Sequence, residues 1–277
     1  MTFNVQEAIR ARRSVRSFDG VALTAAERQQ LMNYVNSIET PFHVSLRFQL
    51  LDHAGAEQNE KLDTKGIVTG TELYLAIVVP KGVPMNLEAS GYAFEQLVLY
   101  AASLGIGTVI IAGTLDRPGF EKAVRLTEDE VMPVMTPLGR AGKPTLRERA
   151  MRRAIKADQR HPWEALFFDG DFAAPLSEHA AGEYRDALEG VRLAPSAVNA
   201  QPWLVVRQGH VFHFFLRHGK GFGKDPAADI QRVDMGIACC HFDLAAQERG
   251  LRGHWEQLSP TLALPDNTDY CISYIQD

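Results

Sequence analysis

The chain has 277 residues, of which 45% are hydrophobic and 23% are charged, a composition typical of globular proteins rather than disordered or fibrous ones. Its length allows one large domain or about two ordinary ones. The formal net charge of −5 argues against nucleic acid as the main partner, because binding to a phosphate backbone relies on clustered lysine and arginine.

The cysteines and the apolar runs indicate the compartment. Cys239, Cys240 and Cys271 are a poor disulfide framework, since their number is odd and two of them are adjacent. The first residues are basic but lack the apolar core and the cleavage site of a signal peptide. No apolar run approaches the ~20 residues that a membrane-spanning helix needs. We therefore expect a cytoplasmic protein with no membrane partner.

In the first half, residues 8–13 predict the end of a short helix. Thr24 to Glu27 has the pattern of a capping box, which begins a helix through residues 28–38. Strand-like runs follow at 44–52 and 72–80, rich in β-branched and apolar residues. A long helix is predicted from Ser90 to Leu104, and residues 108–113 directly after it are predicted to form another strand.

The second half repeats this order of elements. Residues 154–160 resemble 8–14, and a helix at 183–191 matches the one at 31–38. Strands at 203–208 and 210–218 are joined by a turn at Gly209. A helix at 234–251 matches 91–107, and residues 271–274 predict a last strand. We predict a duplicated protein whose halves, 1–145 and 146–277, form one intertwined unit, because no linker rich in Pro, Gly or Ser separates them.

A basic segment connects the halves. Arg149, Arg153, Lys156 and Arg160 fall at spacings that place them on one face of a helix. We interpret most of this stripe as a solvated helix face. The alternative is that one or two of the early arginines reach an anion.

The segment after the first helix carries three cations and a hydroxyl: Arg12, Arg13, Ser14 and Arg16. Guanidinium groups bind phosphate oxygens through paired, charge-assisted hydrogen bonds, and a hydroxyl can add another. In an extended segment alternate residues point the same way, so Arg12, Ser14 and Arg16 can line one wall while Val15 turns away. The alternative is a solvated helix end, where cations suit the helix dipole.

Residues 195–203, Pro-Ser-Ala-Val-Asn-Ala-Gln-Pro-Trp, form the second candidate segment. Ser196, Asn199 and Gln201 are neutral polar groups of the kind that read the edges of a neutral heterocycle or its polyol chain. The alternative is an ordinary polar loop in which Asn and Ser cap turns.

Together these segments resemble the flavin-dependent nitroreductase family, as does the long helix that ends in Gly-Ile-Gly before residues 108–113. Ordinary members are homodimers with FMN in the interface, where the Arg-x-Ser-x-Arg segment and the Pro-Ser-x-x-Asn segment come from different subunits. This chain divides the segments between its halves, so it resembles the fused subgroup in which one chain mimics the dimer. Residues 158–172 resemble that subgroup too. The resemblance implies an α+β pseudo-dimer with helices packed on mainly antiparallel sheets.

The resemblance implies that the first half binds the phosphate end of FMN. Arg12, Ser14 and Arg16 would hold the phosphate and the ring edge, with Arg13 contacting through its backbone. A late cation pair of the first half usually completes the phosphate site. The candidates for it are Arg147 and Arg149.

The other half would approach the ring and the ribityl chain of FMN. The resemblance assigns this to Pro195, Ser196 and Asn199, with Gln201 supporting them. The region of Gly113 matches the place where a backbone amide donates to flavin N5.

Two departures from the family pattern predict that a second, symmetric FMN site was lost. The second half has Arg160-His-Pro-Trp163 in place of Arg-x-Ser-x-Arg, and the first half has Glu39-Thr-Pro-Phe-His43 in place of Pro-Ser-x-x-Asn. The cations and the amide reader are missing there. We therefore expect at most one FMN per chain.

Other candidate sites are weaker. We expect Cys239 and Cys240, on an apolar helix, to be buried and inert. His210 and His213 flank a hairpin without further ligands at metal-binding spacing, so we expect no metal site there. Gly219–Lys224 lacks Walker or dinucleotide spacing and is expected to be a loop.

The resulting hypothesis is an FMN-dependent oxidoreductase. NADH or NADPH would pass a hydride to flavin N5, and the reduced flavin would reduce a small-molecule acceptor such as a nitroaromatic or a quinone. The protein would position and tune the cofactor, and no general acid stands out. Two alternatives stay open: another reaction of the superfamily, such as dehalogenation or flavin destruction, and an FMN storage or sensor protein with little turnover. We expect a monomer that mimics a homodimer.

Overall fold

A computed structural model describes residues 3–52, 62–222 and 229–277. Seven α-helices lie in these ranges: α1 (Val5–Ala11), α2 (Ala25–Val35), α3 (Asn86–Ser103), α4 (Arg117–Ala123), α5 (Leu146–Ala154), α6 (Arg185–Leu193) and α7 (Ile230–Glu248). The strands in the same ranges are β1 (Arg47–Asp52), β2 (Leu73–Pro80), β3 (Glu130–Val131), β4 (Met135–Pro137), β5 (Phe167–Asp169), β6 (Trp203–Gln208), β7 (Val211–Arg217), β8 (Gly253–Glu256) and β9 (Thr268–Gln276).

The first sheet is antiparallel and is built around β2. This strand pairs with β1 along its length, and with β3 and β4 on its other edge. All its residues except Pro80 are buried, which explains its uninterrupted apolar sequence. Residues 108–113, predicted as a strand, form no regular strand. Thr108 bridges Ser14 in parallel and Ile111 bridges Met135 antiparallel, so this segment changes partners before a ladder can extend.

The second sheet has the order β5-β6-β7-β9-β8. Only β5 and β6 pair in parallel, and the remaining pairs are antiparallel. The predicted hairpin is confirmed, with Gly209 at a φ of 60° in its turn, and so is the predicted last strand, as β9. The fold is therefore α+β with sheets rich in antiparallel pairs.

The helix ends follow local sequence rules in part. The capping box of α2 is confirmed, since Thr24 Oγ1 accepts from the Glu27 amide and Glu27 Oε2 accepts from the Thr24 amide. The long helix α3 begins at Asn86, four residues before its predicted start. The predicted basic stripe is wrong beyond Arg153: α5 ends at Ala154, and Lys156 follows with a φ of 49°. Lys156 and Arg160 therefore leave the helix face.

The two long helices, α3 and α7, cross at a pair of glycines. A Cβ on Gly91 would lie 2.0 Å from the Val233 carbonyl oxygen, and a Cβ on Gly236 would lie 1.9 Å from that of Glu88. Only glycine lets the two backbones approach this closely. The contacts are reciprocal, because the shift in numbering that carries Gly91 to Gly236 also carries Glu88 to Val233.

The same shift in numbering relates the ends of these helices. It carries Gly105, which has a φ of 69°, to Gly250, which has a φ of 76°. The residue after each glycine donates its amide back to the helix, Ile106 to Ala101 and Leu251 to Ala246. Both helices thus end in the same glycine-dependent turn.

The largest hydrophobic core combines residues of both halves around α3 and α7. All three cysteines are buried there and unpaired, as predicted for Cys239 and Cys240. Among the described residues, no helix has both the length and the apolar character needed to cross a bilayer. The predicted loop Gly219–Lys224 lies partly outside the described residues.

Candidate functional site

A cavity of about 1010 Å³ lies between the two halves. Eight of the residues singled out in the sequence line it: Arg12, Arg13, Ser14, Arg16, Gly113, Pro195, Ser196 and Asn199. Arg147 and Gln201 do not line it. The tertiary structure thus brings the two candidate segments to one cavity, although they are far apart in the sequence.

The first wall is the extended segment after α1. Ser14 bridges Thr108, and the Val15 amide donates to the Thr108 carbonyl at 2.8 Å. The Val15 side chain packs against Gly107, where a Cβ would meet it at 3.0 Å. Because side chains alternate along extended backbone, Arg12, Ser14 and Arg16 face the cavity on the opposite side. Val15 thus turns away as predicted, while Arg13 lines the cavity together with these three residues.

Two guanidinium groups of this wall are desolvated. The Arg12 side chain is 10% exposed, and burial lowers its pKa, an effect that nearby Glu95 opposes. Burial also lowers the pKa of Arg16. Arg12 Nε and Arg16 Nη1 are buried and have no hydrogen-bond partner in the described part of the chain. An unpaired buried donor is costly, and more so when it is charged, so Arg16 Nη1 favours an anion in the cavity, whereas Arg12 Nε faces the Glu95 carboxyl group at 3.9 Å.

Four further arginines line the cavity that the sequence did not assign to it: Arg10, Arg117, Arg152 and Arg160. Arg152 and Arg160 lie near Arg12, whose charge they repel. Arg152 pairs with Asp158 at 2.5 Å. Arg160 Nη1 donates to Asn199 Oδ1 at 3.2 Å, while its Nε is buried without a partner. Burial lowers the pKa of Arg160, and the positive charge of Arg12 lowers it further. One part of the cavity therefore holds a cluster of four arginines: Arg12, Arg16, Arg152 and Arg160.

The phase of α5 decides which of its arginines enters the cavity. Glu148 is buried and accepts from the Arg16 amide at 3.3 Å and from Ser17 Oγ at 2.7 Å. Arg152, one turn later, lies on the same face. Arg147 lies on another face and donates to the carbonyls of Lys65 and Gly66. The remaining candidate of the predicted late pair, Arg149, is exposed and lies outside the cavity lining.

The second wall, residues 195–201, has a strained backbone. Val198, Asn199 and Gln201 have φ angles of 47°, 58° and 48°. A β-branched residue such as Val198 rarely adopts this left-handed conformation. Such strain persists only where the surrounding structure over-determines it, and it is found often at functional sites.

Side-chain hydrogen bonds hold this strained turn. Asn199 Nδ2 donates to the carbonyls of Lys156 at 2.9 Å and Gln159 at 3.0 Å. Gln201 Oε1 accepts from the His161 amide at 2.8 Å, and Ser196 Oγ accepts from the Gln201 amide at 2.8 Å. The polar side chains predicted to read a ligand are thus largely engaged within the protein.

Asp234, on α7, holds the same turn in place. Its Oδ1 accepts from the Ala197 amide at 2.9 Å, and its Oδ2 is buried without a partner in the described residues. The side chain is fully buried, and this desolvation raises the pKa of Asp234 to about 8. The position of this carboxyl group was not predicted, because the sequence of α7 does not indicate that Asp234 packs against residue 197.

Gly113 lies on the cavity surface with open space around it. A Cβ on this residue would meet nothing within 4 Å, and its amide donates to no group in the described part of the chain. Arg117 fixes the neighbouring backbone by donating to the Ala112 carbonyl at 2.7 Å and the Met132 carbonyl at 2.9 Å. The segment therefore presents a free backbone donor on a fixed support.

The cavity combines positive charge with an apolar surface. Eight arginine and lysine residues line it against four carboxylates: Arg10, Arg12, Arg13, Arg16, Lys81, Arg117, Arg152 and Arg160 against Glu95, Glu121, Asp158 and Asp229. Apolar side chains that include Ile9, Leu87 and Val98 complete the lining. Within the described residues, no cluster of His, Cys, Asp or Glu could hold a metal ion. The arrangement suits an anionic ligand with a large apolar part.

Comparisons with known proteins identify the family of the chain. A family model described as "Putative TM nitroreductase" matches residues 4–246. A "putative nitroreductase" from Thermotoga maritima is 19% identical with a TM-score of 0.62, over 99% of this chain and 94% of that chain. At this identity the Thermotoga structure shows a shared fold. No curated protein matches the sequence.

Two other solved structures match about half of the chain. An FMN-dependent nitroreductase from Clostridium difficile R20291 is 13% identical with a TM-score of 0.39, over 50% of this chain and 88% of that chain. An iodotyrosine deiodinase bound to FMN and 3-iodo-L-tyrosine is 18% identical with a TM-score of 0.40, over 51% of this chain and 92% of that chain.

Proposed function

The chain belongs to the nitroreductase family whose model matches residues 4–246, and from this premise we propose that it is an FMN-dependent oxidoreductase. Bound in the cavity, FMN would take a hydride from NADH or NADPH at N5 and supply electrons to a nitroaromatic, quinone or similar acceptor. The observation that carries this proposal is the meeting of Arg12, Arg16, Arg152 and Arg160 in a largely apolar cavity, where Arg16 Nη1 and Arg160 Nε are buried without a hydrogen-bond partner among the described residues.

Where these arginines meet, we propose that Arg12, Ser14, Arg16 and Arg152 hold the FMN phosphate. Guanidinium groups and a hydroxyl are suited to phosphate oxygens, and Arg16 Nη1 has unused donor capacity in the described part of the chain. In this proposal Arg152 takes the role that the sequence assigned to Arg147, because Arg152 lines the cavity and Arg147 does not.

The cavity also offers groups suited to a flat heterocycle. The free Gly113 amide is a donor for the N5 position, on backbone that Arg117 holds in place. Pro195, Ser196 and Asn199 line the cavity from the second half, and we propose that they meet the ring and the ribityl chain by backbone and shape. Gln201, which lies behind this wall, supports it through its bond to the His161 amide.

We also propose that the halves 1–145 and 146–277 form an intramolecular pseudo-dimer. The reciprocal contacts of Gly91 and Gly236 support it, because a two-fold interface brings the same surface together from both sides. The matching helix ends at Gly105 and Gly250 support it as well. In this arrangement one chain would supply both walls of the cavity.

The experiment is to purify the protein, saturate it with FMN and compare the absorbance of released flavin with protein mass. We expect one FMN per chain, and a light-scattering mass of a monomer in the loaded protein. A ratio near two would contradict the loss of the second site, and no binding of FMN would overturn the proposed function.

Anaerobic addition of NADH or NADPH to the loaded protein then tests turnover. Rapid bleaching of the flavin, reversed by a nitroaromatic or a quinone, is expected of a reductase. Bleaching slower than that of free FMN under the same conditions would instead favour a storage or sensor protein.

A further inference from the structure

A buried polar chain runs from the cavity into the crossing of the long helices. It connects Arg12, which lines the cavity, to Glu95 on α3 and then to His241 on α7. His241 in turn contacts the Gly190 carbonyl on α6. Glu95 and His241 are both completely buried, so four separate elements meet in a water-excluded cluster. The proposed function does not use Glu95 or His241.

The hydrogen bonds fix the protons of this cluster. His241 Nδ1 lies 2.8 Å from the Gly190 carbonyl oxygen, which can only accept, so Nδ1 carries a proton. His241 Nε2 lies 2.9 Å from Glu95 Oε1, and this contact needs one more proton between the two atoms. Either placement of that shared proton leaves the two groups hydrogen-bonded, so His241 fixes the position of the Glu95 carboxyl group.

Glu95 also faces Arg12. Arg12 Nε lies 3.9 Å from Glu95 Oε1, an ion pair without a hydrogen bond, and Glu95 Oε2 has no partner in the described residues. The positive charges of Arg13 and Arg152 act on Arg12 from the cavity side. Glu95 thus attracts the Nε edge of a guanidinium group that Arg13 and Arg152 repel.

We propose that Glu95 and His241 are positioning residues for Arg12. His241 holds the Glu95 carboxylate, and Glu95 holds the Arg12 guanidinium in the orientation that receives the phosphate group of the ligand. This inference rests on the proposed function, because the phosphate belongs to FMN.

The test compares the affinities of FMN and riboflavin for wild type and Glu95→Gln. Riboflavin has the same ring and ribityl chain but no phosphate. If Glu95 positions Arg12, the FMN dissociation constant should rise about tenfold, as expected when one charge-assisted contact is weakened, with less than a twofold change for riboflavin. If Glu95 acts only through its charge, removing a carboxylate from the cavity should leave FMN binding equal or tighter. A general loss of structure should weaken both ligands alike.

Glu88→Gln is the matched control. Glu88 lies on the same helix, is buried, and pairs with α7 through Arg232 at 2.7 Å, yet it does not line the cavity. Its substitution should leave the ratio of the two affinities unchanged. In an Arg12→Ala background, Glu95→Gln should have no further effect on that ratio, because Glu95 acts through Arg12.

His241 gives a second, independent pair of variants. His241→Gln keeps an amide donor that can reach Glu95, whereas His241→Phe keeps volume and loses the hydrogen bond. We expect the glutamine variant to retain most of the preference for FMN and the phenylalanine variant to lose about as much as Glu95→Gln.

The outcomes separate this inference from the proposed function. Wild type that binds neither flavin would overturn the proposed function and the positioning role with it. If wild type binds FMN but Glu95→Gln leaves the ratio of FMN affinity to riboflavin affinity unchanged or raises it, only the positioning role is overturned. If Glu95→Gln does not fold, the Arg12 Nε–H resonance in wild type and in His241→Phe reports the same orientation. An identical, solvent-exchanging resonance in both would also overturn it.

Discussion

The two walls of the cavity hold their polar groups in opposite ways. On the N-terminal wall, Arg12 and Arg16 line the cavity, and each has a buried nitrogen without a hydrogen-bond partner among the residues that the structure describes. On the 195–201 wall, Asn199 and Gln201 use their amides within the protein, and the backbone itself is strained. The N-terminal wall thus supplies charged donors, and the 195–201 wall supplies a surface of fixed shape.

This difference shows that two segments that both look polar in the sequence can have different roles in one site. Cations that remain unpaired when buried favour a ligand that pairs them. A turn held by side-chain bonds on its outer side presents its backbone and small side chains as a rigid surface. Substitutions on the N-terminal wall should therefore change the affinity for an anion. Substitutions on the 195–201 wall should mainly change the free energy of unfolding.

The largest expected effect concerns the anchor of the second wall. The pKa of Asp234 in the folded protein, about 8, lies above the ordinary value of 3.8, so the folded state retains a proton that the unfolded state has lost. Stability should then fall as pH rises from about 4 to about 8, by several kcal/mol at about 1.4 kcal/mol per pKa unit. Urea unfolding of wild type and Asp234→Asn at pH 5 and pH 8 measures it. Parallel pH profiles of the two proteins would contradict the assignment.

The next effect tests whether Asn199 acts within its own wall. Asn199→Ala should lower the free energy of unfolding by about 1–3 kcal/mol, because it removes the Asn199 Nδ2 bonds to the Lys156 and Gln159 carbonyls and one of the acceptors of Arg160 Nη1. Asn199→Ala and Arg160→Ala should be non-additive by at least about 0.5 kcal/mol. Ser14→Ala, whose side chain makes no bond to Asn199, serves as the control and should add to Asn199→Ala. Coupling of Asn199 to Ser14 but not to Arg160 would reverse the assignment.

On the charged wall, two arginines of one helix provide a matched comparison. Arg152→Ala should weaken FMN binding about tenfold, through loss of one charge-assisted contact of about 1.4 kcal/mol. Arg147→Ala should change it less than twofold, because Arg147 lies outside the cavity lining. Fluorescence titration of FMN measures both dissociation constants. Equal effects would show that α5 contributes only through its overall charge.

The smallest effect concerns backbone strain. Val198→Gly should raise the free energy of unfolding by up to about 1 kcal/mol, because it relieves about 1–2 kcal/mol of left-handed strain and costs roughly 0.5–1 kcal/mol of chain entropy. The Val198 side chain is 59% exposed, so little burial is lost. Val21→Gly is the control, at a side chain 63% exposed whose φ is not positive, and it should lower stability. A lower free energy of unfolding for both variants would mean that the backbone at residue 198 is not strained.

Much of the fold follows from patterns that act over a few residues. Capping chemistry predicted the start of α2, the uninterrupted apolar run predicted β2, and the glycine turn predicted the β6–β7 hairpin. The alternation of extended backbone placed Arg12, Ser14 and Arg16 on one side. The segment at 108–113 was mispredicted because its pairing partners, Ser14 and Met135, are distant in the sequence.

What only the tertiary structure decided is which charges meet. The end of α5 at Ala154 and the burial of Glu148 set the phase that brings Arg152 rather than Arg147 to the cavity. The glycine crossing of α3 and α7 brings Glu95 against His241. A sequence determines local conformation through propensity and periodicity, but the partners of a buried charge come from whichever elements pack around it. Their identity therefore depends on helix phase and crossing geometry, which no short-range pattern encodes.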